Sequence, residues 1–276
     1  MAKRRGGIQV LRSLFAQVDL PPPLKPHEEA FAKGIFGACD SQRMASLISS
    51  ERSDLPAWDG PEIALAGRSN VGKSSLINAL TSSTIMKASK TPGRTQQLHF
   101  ISVGGKAGSQ PDLVLVDMPG FGFAQAPKSM VDDFHRLVGR YVKHRSNNNL
   151  KLILLLIDSR RGVTSVDHEF MDLMETLDAS FQVVFTKIDA LSSTALEKSI
   201  KSAEEAVQKY MRMHPILHLV SSKDNIGVRE LRNAIVSASG ALYNLKTKAQ
   251  RRAIREMEAE EAQRLAEIEA KKQPQP

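Results

Sequence analysis

Residues 67–74 read Gly-Arg-Ser-Asn-Val-Gly-Lys-Ser, which completes the G-x-x-x-x-G-K-S pattern of a phosphate-binding loop. The segment before the loop, Glu62 to Ala66, is short and mostly apolar, so a buried strand is expected there. The segment after it, residues 75–80, has apolar side chains at helical spacing. This pattern constrains the chain to an α/β fold in which the loop joins a strand to a helix.

The loop has the chemistry to hold phosphates. Gly67 and Gly72 permit backbone angles that direct several N–H groups at one phosphate, and the N-terminus of the following helix favours an anion. Lys73 is predicted to reach the β- and γ-phosphates, and the Ser74 hydroxyl is predicted to bind Mg²⁺. The residues of this loop predicted to contact the nucleotide are Gly67, Arg68, Ser69, Asn70, Val71, Gly72, Lys73, Ser74 and Ser75.

Another segment predicts that the protein selects GTP over ATP. Thr186-Lys187-Ile188-Asp189 follows the apolar stretch 181–185 and fits the [N/T]-K-x-D pattern. The Asp189 carboxylate can accept two hydrogen bonds from guanine, whereas adenine lacks the donor pair and would leave a buried carboxylate unpaired. Lys187 would lay its stem along the base. A later segment, Ser221-Ser222-Lys223, resembles the S-A-K loop that backs the guanine O6.

The magnesium and γ-phosphate segment is Asp117-Met118-Pro119-Gly120, which follows the apolar stretch 113–116. Asp117 is predicted to hold Mg²⁺ through a water, and the Gly120 N–H is predicted to sense the γ-phosphate. Phe121 stands where many GTPases have a glutamine that orients the attacking water. A phenyl ring cannot do this, so we expect slow turnover and a hydrophobic role for Phe121, within its loop or with a partner.

These segments resemble a known family. Residues 67–80 are similar to the Era-like branch of translation-factor GTPases, and residues 90–97 and 115–123 resemble the EngB family. The resemblance covers residues 30–240 and implies that the protein binds GTP and hydrolyses it slowly to GDP. It also implies assembly of the large ribosomal subunit as the function, with rRNA and ribosomal proteins of the precursor as partners. Off the ribosome, we expect a monomer.

The resemblance also implies a switch-I loop in which Thr95 closes on Mg²⁺ when GTP is bound. The residues alone support this weakly, because a Pro-Gly loop with a nearby hydroxyl also fits a solvated threonine. The other switch-I residues expected at the nucleotide are Pro92, Gly93 and Arg94. The predicted catalytic residues are Lys73, Thr95 and Gly120, and the predicted magnesium ligands are Ser74, Thr95 and Asp117.

Asn70 has two interpretations of equal weight. Era-like GTPases with asparagine at this position resemble those that use K⁺ in place of an arginine finger. Such a cation would stabilise charge that develops between the β- and γ-phosphates. Alternatively, Asn70 is an asparagine tolerated in a tight turn.

Composition limits the remaining possibilities. The 276 residues suit one α/β domain with extensions, and the net charge of +8 favours a polyanionic partner such as rRNA. The single cysteine excludes an internal disulfide and a cysteine-based zinc site. The longest apolar run, Leu152–Ile157, is too short to span a membrane.

We predict three regions. Residues 1–27 form a basic, proline-rich extension in which Pro21–Pro23 and Pro26 are expected to form a stiff linker. The arginine-rich, acid-free start of this extension resembles a mitochondrial presequence, so we expect the protein in the mitochondrial matrix. The alternative for this segment is a flexible basic arm that touches RNA, and the alternative compartment is a bacterial cytoplasm. Residues 28–242 form the G domain, and residues 243–276 form a charged helical tail, either solvated or lying on rRNA or a ribosomal protein.

The alternative to a function in ribosome assembly is a GTP-dependent interaction protein in septation or organelle division.

The predicted G domain is a doubly wound, mostly parallel, six-stranded sheet with helices on both faces. A hairpin turn is expected at residues 104–108. The predicted strands are 63–66, 98–103, 113–116, 150–157, 182–185 and 216–220, and the predicted helices are 73–81, 129–144, 165–177, 194–212 and 227–240. All the nucleotide segments then follow strands at their carboxyl ends, where such sheets bind ligands. Asp158 and Asp167 flank the loop after the predicted strand 150–157, and we interpret both as capping or solvated carboxylates.

Overall fold

The computed structural model describes residues 25–37, 46–49, 55–86, 97–105, 110–122, 127–146 and 149–242. The predicted presequence, the switch-I residues 92–95 and the charged tail from residue 243 lie outside the described residues. The predictions made on those segments therefore stay predictions.

Strands and helices alternate along most of the described chain, as the sequence predicts. The strands are β1 Ser46–Ser49, β2 Glu62–Gly67, β3 Leu98–Val103, β4 Leu113–Asp117, β5 Leu150–Asp158, β6 Phe181–Thr186 and β7 Met213–Leu219. The helices are α1 Pro26–Gly37, α2 Lys73–Thr81, α3 Lys128–Arg145, α4 Ser165–Thr176, α5 Ser193–Lys209 and α6 Val228–Ala238, and a short 3₁₀ turn spans Ile188–Ala190.

The strands form one sheet in the order β1-β3-β4-β2-β5-β6-β7. The pairs β2–β4, β2–β5, β5–β6 and β6–β7 are parallel, and β1–β3 and β3–β4 are antiparallel. The β3–β4 hairpin was predicted, although the centre of its turn lies outside the described residues. The fold class and all six predicted strands are confirmed.

The sheet has seven strands rather than the predicted six. The additional strand, β1, contains only four residues, Ser-Leu-Ile-Ser, and lies at the edge of the sheet. Its backbone pairs with β3, from Ser46 opposite Ile101 to Ser49 opposite Leu98. A strand defined by edge pairing rather than by an apolar pattern leaves little trace in the sequence.

The sheet separates two hydrophobic cores. Side chains alternate across β2, so that Ala64 and Ala66 join one core while Ile63 and Leu65 join the other. Helices α3, α4 and α5 cover the first core, and α1, α2 and α6 cover the second. Both faces of the central strands are buried, which explains why those strands are almost entirely apolar.

Helix α1 was not predicted. The sequence interpretation treated Pro26 as part of a stiff linker, but Pro26 is the first residue of the helix, a position where its missing N–H costs nothing. The helix therefore runs across the boundary predicted between residues 27 and 28. Its buried residues Ala32, Ile35 and Phe36 pack into the second core.

A buried polar cluster lies at the amino end of β2, whereas the phosphate-binding loop follows the carboxyl end of the same strand. The Tyr141 hydroxyl donates to Glu62 Oε2 at 2.8 Å, and Arg145 Nε lies 3.4 Å from Glu62 Oε1. Burial raises the pKa of Glu62, and the Tyr141 hydrogen bond and the Arg145 charge oppose that rise. The cluster thus fixes α3 to the strand that carries the loop.

Candidate nucleotide-binding site

The predicted nucleotide segments meet at one edge of the sheet. The phosphate-binding loop follows β2, Asp117 ends β4, Thr186 ends β6, and Ser221 follows β7. These four strands belong to the parallel part of the sheet, so their carboxyl ends point to the same side. The structure therefore brings together segments that are far apart in the chain.

The phosphate-binding loop depends on a glycine immediately before its helix. Gly72 precedes α2 and has a φ of 107°, in a region that side chains rarely enter. A Cβ at this position would meet nothing closer than Lys187 Cε at 3.7 Å, so the backbone angle, not lack of space, requires glycine. Val71 is 3% exposed and anchors the loop in the core.

The γ-phosphate segment lies directly against this loop. Ser69 N donates to Phe121 O at 3.2 Å, and Phe121 N donates to Gly67 O at 3.4 Å. A Cβ on Gly120 would lie 2.8 Å from Ser69 Oγ, so only glycine fits without displacement. Met118 and Pro119 are buried, which leaves their backbone, rather than their side chains, to serve the predicted contacts with the nucleotide.

Lys73 and Asp117 form an ion pair between the phosphate-binding loop and β4. Their side chains are only 11% and 8% exposed. The sequence predicts that Lys73 contacts phosphates and that Asp117 contacts Mg²⁺. The ion pair brings these two groups into direct contact. A phosphate could take the ammonium group from Asp117 and so free the carboxylate for the metal ion.

The residues here fit Mg²⁺. Proteins usually bind this ion through one or two carboxylates, with phosphate oxygens and waters completing the octahedron. Asp117 supplies one carboxylate, and Ser74 supplies a hydroxyl on the first turn of α2. Within the described residues, no three His, Cys, Asp or Glu side chains are grouped to hold a metal on their own. That composition suits an ion shared with a nucleotide.

The carboxylate of Asp189, which is predicted to select the base, is held by a buried serine. Ser221 Oγ donates to Asp189 Oδ1 at 2.7 Å, and the backbone N–H of Asp224 donates to the same hydroxyl at 3.1 Å. Ser222 is half-buried and Lys223 is exposed, so Ser221 is the member of the predicted triplet that touches Asp189. The serine fixes the direction in which the carboxylate can accept hydrogen bonds.

The loop 186–189, which is predicted to bind the base, is hydrogen-bonded directly to the phosphate-binding loop. Thr186 Oγ1 donates to Val71 O at 2.7 Å, and Lys187 Nζ donates to Asn70 O at 2.6 Å. Asn70 and Lys187 both have left-handed backbones, with φ of 63° and 59°. The two loops therefore act as one unit in which moving either changes the other.

Sequence reasoning missed one residue of this unit. Asp158, the last residue of β5, was interpreted as a capping or solvated carboxylate, but its side chain is 10% exposed and lies 3.0 Å from Lys187 Nζ. The available signal was an acid at the end of a buried strand on the same sheet edge. By contrast, the capping interpretation of Asp167 is confirmed, because Thr164 N donates to Asp167 Oδ2 at 2.9 Å.

Arg68 and Phe121 both make contacts with the region of helix α4. Arg68 Nη1 donates to Thr164 Oγ1 at 3.3 Å, so the arginine side chain reaches towards the start of α4. Phe121 is 8% exposed and stacks on Phe170, with ring centroids 5.0 Å apart. The expected hydrophobic role of Phe121 is therefore confirmed, as an internal contact with helix α4.

The fold and the joined loops define a class of protein, the P-loop GTPases. A family model described as "50S ribosome-binding GTPase" matches residues 62–187. A probable GTP-binding protein EngB from Bartonella bacilliformis is 44% identical over 188 residues, covering 67% of this chain and 86% of that protein. A probable GTP-binding protein EngB from Ruegeria sp. is 39% identical over 223 residues, covering 79% of this chain and 98% of that protein.

The chain belongs to the EngB family of GTP-binding proteins, and it is a GTPase. The crystal structure of Era in complex with MgGDPNP and nucleotides 1506–1542 of 16S ribosomal RNA is similar with a TM-score of 0.51. The match has 20% sequence identity and covers 66% of this chain and 57% of the Era chain, so it supports the fold alone. No helix among the described residues is both long enough and apolar enough to cross a membrane.

Proposed function

We propose that this GTPase is a slow molecular switch that binds an immature large ribosomal subunit in its GTP state and leaves after hydrolysis. The description of the matching family model, "50S ribosome-binding GTPase", supports a ribosomal target. The net charge of +8 also supports a polyanionic partner such as rRNA.

The burial of Phe121 carries the switch part of the proposal. Phe121 occupies the position of the usual water-orienting glutamine, and its ring is buried, stacked on Phe170 and tilted against Phe134. No hydrogen-bonding side chain is supplied at that position, so hydrolysis is slow and the GTP state lasts. A long-lived bound state suits a protein whose output is binding and release.

The contacts around Gly120 suggest how the nucleotide is sensed. Gly120 lies against Ser69 of the phosphate-binding loop, and Asp117 at the start of the same segment pairs with Lys73. A γ-phosphate that takes Lys73 and the Gly120 N–H would reorder this segment, and GDP would not. Bound Mg²⁺ would neutralise charge on the phosphate oxygens. Thr95 would close the site from switch I.

We propose that the protein acts in the mitochondrial matrix. The support is the acid-free, arginine-rich composition of residues 1–18, in which basic residues at positions 3–5 are followed by apolar side chains on both sides of Arg12. Fusion of residues 1–27 to a fluorescent reporter tests this. Mitochondrial import of the reporter would support the matrix, and a diffuse reporter would favour the bacterial cytoplasm.

Sedimentation tests the central proposal. The tagged full chain is isolated from its own compartment and run on sucrose gradients with a non-hydrolysable GTP analogue or with GDP. We expect comigration with large-subunit precursors in the analogue but not in GDP, and no comigration for Lys73→Met, which should not bind the nucleotide. Migration at the top of the gradient in both states would contradict the proposal and favour an interaction protein that acts away from the ribosome.

A further inference from the structure

The ammonium group of Lys187 is held from two sides. Its Nζ lies 2.6 Å from the backbone oxygen of Asn70 and 3.0 Å from Oδ2 of Asp158. The lysine backbone has a φ of 59°, a conformation that an L-residue adopts at a cost. A contact that fixes Nζ therefore also helps to hold the loop in this conformation.

Asp158 is built to stay ionised. Arg160 binds both of its oxygens, with Nε 2.9 Å from Oδ1 and Nη2 2.6 Å from Oδ2, and the Arg160 backbone N–H donates to Oδ1 at 3.1 Å. Burial alone would raise the pKa of Asp158, but the hydrogen bonds from Arg160 and Lys187 lower that pKa well below its usual range. The carboxylate is therefore a fixed negative charge at neutral pH.

The two cations on Asp158 differ in position. The Arg160 side chain is 51% exposed and approaches from the solvent side, where its ion pair is screened. The Lys187 side chain is 31% exposed and ends on the phosphate-binding loop. Arg160 thus orients the carboxylate, and the carboxylate orients Lys187.

We infer that Asp158 is a positioning residue for guanine nucleotides, which sets the Lys187 ammonium on the Asn70 carbonyl and so holds the base loop 186–189 against the phosphate loop. The inference rests on the predicted contact of Lys187 with the base. The inference assigns Asp158 no contact of its own with the nucleotide or with a metal ion. Its effect falls on affinity rather than on the chemical step.

That distinction gives the expected kinetics. GTP and GDP share the base and the two inner phosphates, so loss of Asp158 weakens both by the same factor. We expect Asp158→Asn to raise the dissociation constants of both nucleotides about tenfold, since a hydrogen-bonded charge pair is lost. KM for GTP rises with them, whereas kcat at saturating GTP changes by less than about twofold.

A double-mutant cycle on the full chain tests the inference, with binding of fluorescent GDP and GTP as the readout. The four proteins are wild type, Asp158→Asn, Lys187→Met and the double variant. In the Lys187→Met background, Asp158→Asn should change affinity by less than about twofold, because its target is already absent. Arg160→Gln should have a smaller effect than Asp158→Asn and weaken binding by less than about threefold, since it removes only the exposed side-chain partner and leaves the Arg160 backbone N–H and Lys187 on the carboxylate.

Two results would overturn the inference. One is wild-type affinity in Asp158→Asn. The other is an equal loss of affinity with and without Lys187, which would show that Asp158 acts through general stability. Asp158→Ser keeps an acceptor for the Arg160 N–H without the charge, and replaces Asp158→Asn in the cycle should the asparagine variant not fold.

Discussion

Ser221 Oγ donates a 2.7 Å hydrogen bond to Asp189 Oδ1, although the two residues lie 32 positions apart in the chain. Ser221 is fully buried, and its hydroxyl also accepts the Asp224 N–H at 3.1 Å. The serine therefore transmits the position of the turn after β7 to the carboxylate predicted to recognise guanine. If Asp189 recognises guanine as predicted, this selectivity depends on a side chain that itself needs no contact with the base.

Ser221→Ala should weaken guanine nucleotide binding about tenfold, because a hydrogen bond to a charged group is lost and the carboxylate gains freedom. Calorimetric titration with GDP measures the change. Ser222→Ala, one residue further along the same turn, is the matched control and should bind within about twofold of wild type. Equal effects of both substitutions would show that the turn as a whole, not the hydroxyl of Ser221, supports binding.

Phe121 should matter for stability more than for chemistry. Phe121→Ala removes a ring that stacks on Phe170 and approaches Phe134, so we expect a loss of about 3 kcal/mol in the free energy of unfolding. Phe121→Leu keeps an apolar side chain and should lose less than about 1.5 kcal/mol. Urea unfolding measures both. If Phe121→Ala were as stable as wild type, the ring could not be the internal contact described.

Turnover should respond to the monovalent cation. If K⁺ lies near Asn70 and stabilises charge between the β- and γ-phosphates, the single-turnover rate of GTP hydrolysis should be about tenfold higher in K⁺ than in Na⁺. Asn70→Gly removes the amide while keeping the left-handed backbone accessible, and it should abolish that response. Identical wild-type rates in the two salts would leave Asn70 with its turn role alone.

The free energy of unfolding should fall with falling pH, because His218 becomes protonated more readily in the unfolded chain than in the folded protein. This histidine is 3% exposed, its Nε2 lies 2.8 Å from Gln182 Oε1, and burial lowers its pKa to about 4. Its folded pKa is below the unfolded value of about 6.5, so the unfolded chain binds more protons between those values. The contribution is complete above about pH 6.5 and is lost as pH falls towards 4, by roughly 3 kcal/mol in all.

Urea unfolding between about pH 7 and about pH 5 checks this dependence. His218→Leu removes the titrating ring, so its stability should fall less steeply over that range than that of wild type. Parallel slopes for the two proteins would rule out His218 as the source.

The nucleotide site could be predicted because its motifs are local. Each motif follows a buried strand, and strand ends on one sheet edge meet, so Lys73, Asp117 and Asp189 could be placed together from the sequence. Thr186 was predicted at the nucleotide, and its 2.7 Å bond to Val71 O shows that it also ties the two loops together. That bond joins residues 115 positions apart, which no local pattern reveals.

The missed features have physical causes of the same kind. β1 is short and is stabilised by backbone pairing with β3, which leaves no apolar pattern. Helix α1 carries Ala32, Ile35 and Phe36 at helical spacing, but the proline-rich segment before it suggested a linker. Asp158 resembled a capping residue because its partner, Lys187, lies 29 positions away. Its role depends on the register of β5 and β6, which pairs Asp158 with Thr186.

The nucleotide preference of Asp189→Asn tests most directly whether this carboxylate selects guanine. Binding of GDP and of xanthosine diphosphate is titrated against wild type and the variant. An amide in place of the carboxylate should weaken GDP binding by about a hundredfold and make xanthosine diphosphate the preferred ligand, because the donor and acceptor at base position 2 are exchanged. Retained preference for GDP in a folded Asp189→Asn variant would contradict the assignment of the base site.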